Sequence, residues 1–122
     1  MTGQLRHHAI DYIELPVTDV ARAKEFYSAA FGWQFTDYGS DYAGIVAPDG
    51  GPGEVGGLAK ADAVATADGP LVILYSDSLD DSVAAVEAGG GTVVEGPFTF
   101  PGGRRFHFTD PSGNRLGVWS QR

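Results

Sequence analysis

Cysteine is absent from the 122 residues. The chain therefore has no disulfide framework, no thiolate nucleophile and no cysteine-built zinc site. No apolar run approaches the length of a membrane-spanning helix. Bases are scarce: eight Lys and Arg stand against sixteen Asp and Glu, a formal charge of −8. A nucleic-acid-binding surface needs a basic footprint, so no nucleic-acid partner is expected. No Gly-X-Gly-X-X-Gly run opens a helix, which removes the usual phosphate cradle. The first eight residues lack the apolar core of a secretory leader, and a cytoplasmic protein with no membrane partner is expected. What remains is ordinary for a folded domain, with 43% hydrophobic and 20% charged residues. A single domain over residues 1–122 can bury its own core at this length.

The charge is uneven. Residues 37–95 hold eleven acids and Lys60 as their one base, whereas residues 96–122 hold Asp110 against Arg104, Arg105, Arg115 and Arg122. An acidic surface kept for solubility and attraction of a cationic ligand are both open readings. Glycine is abundant at 18 residues. Its clusters at 50–53, 56–57, 89–91, 102–103 and 113 punctuate short segments, as in a strand-rich domain with tight turns.

Residues 8–17 alternate as a strand, with Ile13, Leu15 and Val17 on one face and Ile10, Tyr12, Glu14 and Pro16 on the other. Thr18 can cap a helix with Asp19 in its first turn. That helix, over 19–31, carries Val20, Ala23, Tyr27, Ala30 and Phe31 on one stripe with Phe26 beside it, and Gly32 ends it. Strands follow at 33–38, 42–47 and 55–60. After a small, polar linker at 61–69 the order repeats. A strand at 70–76 leads to a helix over 79–89, with Ser78 and Asp81 at capping-box spacing. Three strands close the chain at 92–100, 104–109 and 115–120. Asp19 and Asp80 open the two helices, and the turns at Pro48-Asp49-Gly50 and Pro111-Ser112-Gly113 also correspond. Two β-α-β-β-β modules, about 8–60 and 70–120, are predicted, an α+β fold. Each helix covers one sheet face, so the other face must meet a module, a subunit or a ligand.

The stretch YIELPVTDVARAKEFYSAAFGW and the closing FHFTDPSGNRLGVW resemble the glyoxalase/bleomycin resistance protein/extradiol dioxygenase superfamily, also called the vicinal oxygen chelate superfamily. The resemblance covers nearly all of residues 8–120. It implies a glyoxalase-like fold whose paired modules curl a mixed sheet into a cup, a homodimer, and a pocket inside the cup. Metalloenzymes of the family hold a divalent ion with His, Glu or Gln on the first and last strands of each module. Carried over one at a time, those positions fall on Tyr12, Leu71, Gly117 and one of Gly56 or Gly57. None is a plausible ligand, so no metal and no other cofactor is expected.

Strand parity then predicts the cup lining. Tyr12 and Glu14 share a face of the first strand. Leu71, Ile73 and Tyr75 follow from the fifth strand, Arg115, Gly117 and Trp119 from the eighth, and Arg105 and His107 from the seventh. Phe106 and Phe108 fall on the opposite face, under the helix. Tyr12, Tyr75, Arg105 and Trp119 are the candidate ligand-binding residues, and Glu14 and His107 the candidate catalytic pair. Glu14 is expected to be desolvated and paired with His107 or Arg105. Each also has a plain structural reading, as core aromatic, edge carboxylate, satisfied histidine or hairpin charge. Three functions follow. The first is metal-free binding of a small molecule. The second is a lyase, isomerase or dioxygenase step, with Glu14 and His107 as acid–base groups or in an atypical metal site. The third is an accessory domain that only dimerises.

Overall fold

The computed structural model describes residues 6–48, 53–64 and 69–121. The turn at 49–52 and part of the predicted linker, 65–68, lie outside the described residues. The elements run β1 (Ile13–Val17), α1 (Val20–Phe31), β2 (Phe35–Asp37), β3 (Tyr42–Val46), β4 (Glu54–Lys60), β5 (Val72–Tyr75), α2 (Leu79–Gly89), β6 (Thr92–Phe100), β7 (Gly103–Thr109) and β8 (Arg115–Ser120). This is β-α-β-β-β twice. The strands make two four-stranded sheets, ordered β1-β4-β3-β2 and β5-β8-β7-β6. In each, the first strand pairs parallel to the last, and the remaining pairs are antiparallel. The result is α+β with two mixed, curled, unclosed sheets.

Local chemistry accounts for most boundaries. Asp19, not Thr18, caps α1: its backbone is extended and its carboxylate accepts from the Arg22 N–H at 3.0 Å. A carboxylate there also favours the positive end of the helix dipole, which a threonine hydroxyl does not. Gly32 ends α1 at φ 70°, in the left-handed region that glycine enters without a Cβ clash. Ser78 caps α2, accepting from the Asp81 N–H. The first strand is shorter than the alternation suggests. It begins at Ile13, which pairs with Gly56 only two residues into β4, so residues 8–12 run beyond the start of their partner. Ile10, read from the sequence as cup-facing, stands 85% exposed ahead of the strand.

One core serves both sheets. Val17, Phe26, Tyr27, Ala43, Ile45 and Leu58 of the first module join Leu79, Val86, Phe106, Phe108, Leu116 and Val118 of the second. Phe26 and Phe31 of α1 lie against Phe108 of β7, with ring centroids 5.9 and 5.6 Å apart. The helices therefore sit between the sheets, and Phe106 and Phe108 face them, as strand parity predicts. Arg22 donates to the Gly89 carbonyl at 3.1 Å, fastening α1 to the end of α2.

A buried polar tie between the modules is centred on Asp110, in the turn between β7 and β8. Its Oδ1 accepts from the backbone N–H groups of Ser112 and Asn114, both at 2.9 Å. Its Oδ2 accepts from the Tyr27 hydroxyl at 2.7 Å and the Asn114 amide at 3.1 Å. The same amide nitrogen donates to the Pro16 carbonyl at 2.6 Å. Burial, then the Asp110 charge, pushes the Tyr27 hydroxyl far above the phenol range, so it keeps its proton and donates. Tyr27→Phe leaves Asp110 one donor short and should cost about 1–3 kcal/mol. Asp110→Ala should cost more, because it strands the Tyr27 hydroxyl and the backbone N–H groups of Ser112 and Asn114 together. Urea unfolding measures both, and stabilities equal to the parent would overturn this account.

Candidate functional site

Both sheets turn one face to the shared core, so their other faces point away from it. On the first sheet the outward set follows from register: Pro16, Ala59 and Tyr42 in one row, Glu14, Gly57 and Gly44 in the next. The Tyr42 hydroxyl is hydrogen-bonded to Tyr12 and to Glu14. A carboxylate only accepts, so Tyr42 is the donor toward Glu14. Burial first, then these two bonds, pushes the Tyr42 hydroxyl well above the phenol range. Tyr38 donates to Glu54 at 2.5 Å, whose carboxylate lies in the space a Cβ on Gly44 would fill. Gly57 is likewise the floor beneath the Tyr12 and Tyr42 hydroxyls. This face is a phenol and carboxylate surface.

The second sheet carries a different chemistry. Its outward rows are Glu95, His107, Gly117 and Ile73, then Phe98, Arg105, Trp119 and Tyr75. Tyr75 meets Trp119 edge-on at 5.0 Å, and Trp119 meets Phe100 at 6.2 Å. The Arg105 guanidinium carbon sits 5.4 Å from the Phe98 ring centre and 5.3 Å from that of Phe100. Such contacts favour the cation by a fraction of a kilocalorie to about 2 kcal/mol. Tyr75 is 51% and Ile73 40% exposed, so the aromatic surface is open.

His107 lies on this face but is only 6% exposed. Its Nδ1 is 2.8 Å from an Arg115 nitrogen and 3.4 Å from Glu95 Oε1, while Arg115 itself bonds Glu95 at 2.5 Å. Guanidinium nitrogens only donate, so the shorter contact decides, and Nδ1 is the acceptor. The ring proton then sits on Nε2. That Nε2 and Arg105 Nε are buried and find no hydrogen-bond partner among the described residues. Burial first, then the Arg115 charge, lowers the His107 pKa below its ordinary value, and Glu95 offsets part of this.

The six candidate residues thus form two groups within one chain. Tyr12 and Glu14 lie on the first sheet; Tyr75, Arg105, His107 and Trp119 lie on the second. Glu14 is exposed and bonded to Tyr42; it is neither desolvated nor seen pairing with His107 or Arg105. The cation beside His107 is Arg115, supplied by the neighbouring strand. A separate apolar groove of about 580 Å³ opens on the core side, lined by Ile13, Leu15, Phe31, Trp33, Val72 and Leu74 among others. Of the six, Tyr75 alone reaches it. Sequence reasoning passed over Tyr42, Phe98 and Phe100. Alternation along β3 could have found Tyr42. The two phenylalanines face Arg105 only because β6 shifts register between Val93 and Phe98.

The residues at the family's ligand positions do not fit a divalent ion. Gly117 and Gly57 offer no donor, and the space above them is taken by the His107 ring and by two tyrosine hydroxyls. Among the described residues, no three of His, Asp and Glu gather as a metal site would need. No helix among them is long and apolar enough to cross a membrane.

The sequence profile of the Glyoxalase/Bleomycin resistance protein/Dioxygenase superfamily matches residues 9–118. The chain belongs to this superfamily. It is 30% identical over 132 aligned positions to CFP32 of Mycobacterium bovis and of Mycobacterium tuberculosis, named as a glyoxylase. That match covers 96% of this chain but 47% of CFP32, so the chain spans about half the length of these curated relatives. Solved members share the fold. A superfamily enzyme from Burkholderia phytofirmans superposes with TM-score 0.75 at 16% identity, covering 93% of this chain and 98% of that one. TnmS3, an antibiotic-binding protein from Streptomyces, superposes with TM-score 0.66 at 26% identity, covering 96% and 98%.

The His107 setting has a pH signature. Its folded pKa lies below the ordinary 6.5, so an unfolded chain takes up the proton first as pH falls. This contribution to stability is whole above pH 6.5 and is lost as pH drops from there toward the folded pKa. Arg115, Arg105 and Glu95 are the charged groups that set it. Denaturant unfolding from neutral to mildly acid pH should show a smaller loss for His107→Gln than for the parent. Parallel curves would refute a neutral, buried His107.

Proposed function

We propose that this superfamily member binds a small conjugated molecule, without a metal, in a cup closed between the second-sheet face of one chain and the first-sheet face of a second copy. The observation that carries this reading is the open aromatic surface of Tyr75, Trp119, Phe98 and Phe100 around Arg105. An apolar, ring-lined surface with a few polar groups is the usual chemistry of a small-molecule site. Within one chain the two outward faces do not meet. A homodimer would join them, and their chemistry is complementary, with Glu14, Glu54 and phenols on one and Arg105 and Arg115 on the other. The antibiotic binding attributed to TnmS3 supports a sequestering role for a related fold.

A catalytic reading rests on Glu14. As an exposed carboxylate tied to the Tyr42–Tyr12 hydroxyl relay, it could take a proton from a carbon acid in a lyase or isomerase step. His107 is poorly placed to share that work, because its one free ring nitrogen carries the proton.

The chain has two tryptophans, which makes the test direct. Trp33 stacks on Tyr27 with centroids 4.6 Å apart, on the core side, so Trp33→Phe leaves Trp119 as the reporter. Screening aromatic compounds against that variant should give saturable Trp119 quenching, about tenfold weaker after Tyr75→Ala. Binding should survive a chelator, and sedimentation should give a dimer mass. A monomer mass across the micromolar range would refute the closed cup. Saturable binding indifferent to Tyr75 would move the site elsewhere.

A further inference from the structure

Two nitrogen–hydrogen donors on the second-sheet face are buried without acceptors, and they belong to alternate residues of one strand. Nε2–H of His107 and Nε–H of Arg105 are the described buried side-chain atoms left unpaired. Their residues attach to β7 about 7 Å apart, two steps along one strand. Leaving a buried donor unpaired is costly, and native proteins rarely do so without a reason. Both groups are held in place. Phe98 and Phe100 flank the guanidinium. The imidazole lies over Gly117 and meets Phe98 edge-on at 5.9 Å.

We infer that these two N–H groups read the ligand, and that its class is a conjugated ring system bearing an oxygen acceptor: a carbonyl, phenolate or carboxylate. The inference rests on the cup reading above and deepens it. Arg115 is a positioning residue in this scheme. Bonded to Glu95 on one side, it donates to His107 Nδ1 on the other, and so keeps the ring proton on Nε2. A ligand with a donor at this point would meet two donors and be rejected. Nε2 is sealed from solvent, and Ile73 shares the Gly117 floor with the imidazole. In this scheme the half-exposed Ile73 side chain turns aside to admit the acceptor.

The test uses the full chain and an isosteric pair of neutral probes, 2-acetylnaphthalene and 2-isopropenylnaphthalene, with 2-naphthoate as the anionic arm. Binding is followed by NMR on protein carrying ¹⁵N-labelled histidine. In the free parent, His107 should appear as one neutral tautomer with the proton on Nε2. Arg115→Met should release it to a mixture. The acetyl probe should bind at least about tenfold tighter than the hydrocarbon and shift the Nε2–H resonance. His107→Gln, which keeps a donor near the same place, should retain the preference, and His107→Phe should lose it. 2-Naphthoate binding tighter still would assign the anion, and equal binding the carbonyl. An Nδ1–H tautomer overturns the inference before any probe is added. Equal binding of the neutral pair to the parent overturns it while leaving the cup reading intact. No binding of any probe overturns both.

Discussion

Asp110 is the point on which the arrangement depends. A buried carboxylate with no cation against it survives only when hydrogen bonds replace its water. Here four donors do so: Tyr27 from α1, two backbone N–H groups of its own turn, and the Asn114 amide, which also holds the Pro16 carbonyl of β1. One residue thus ties together the first helix, the first strand and the last hairpin. The β7–β8 hairpin is the element that presents Arg105, His107, Gly117 and Trp119. Its height above the shared core is set by Phe106, Phe108, Leu116 and Val118 below and by this turn at its end.

Because the helices lie between the sheets, the outward faces of a single chain are separated by the core. On the reading we propose, each is half of a site. The first holds its carboxylates under phenol hydroxyls, with glycine at 44 and 57 clearing the space. The second holds Arg105 against the Phe98 and Phe100 rings, with Gly117 clearing the space beneath His107. In both, a small residue lets a larger polar neighbour lie down on the sheet. By the family resemblance, Gly117 and one of Gly56 or Gly57 stand where metalloenzymes of the superfamily carry a ligating side chain. A glycine there offers no donor and leaves the space above it to another group, the His107 ring over Gly117 and the tyrosine hydroxyls over Gly57.

Much of the fold was legible because its signals are local. Gly32 and Ser78 mark helix ends through backbone geometry that only neighbouring residues decide. The alternation in β7 separated Phe106 and Phe108 from Arg105 and His107, and the core bears this out. The first strand was read too long, since its start depends on where β4 begins, some forty residues away. The candidate site was harder. Parity says which residues share a face of one strand, but not which sheet faces which. It placed Glu14 near His107 because both point outward, and the topology puts them on different sheets. The true neighbours of His107, Arg115 and Glu95, come from adjoining strands, and Glu95 arrives through a register shift that no sequence pattern announces.

That neighbourhood changes what the histidine is for. A lone histidine on an apolar strand invites a role as general base, which needs a free lone pair facing the substrate. Arg115 consumes the lone pair on Nδ1 and leaves the hydrogen on Nε2. A second proton would bring two donors within 2.8 Å of each other, so the cationic form is disfavoured as well. The contact with Arg115 thus favours one tautomer and the neutral form, which presents Nε2–H as a donor. Arg105, permanently charged and flanked by rings, is a second donor. Neither group needs to gain or lose a proton to do its part. On the reading we propose, a face built from such groups serves recognition, and Glu14 with the tyrosines of the other face is the set able to move a proton.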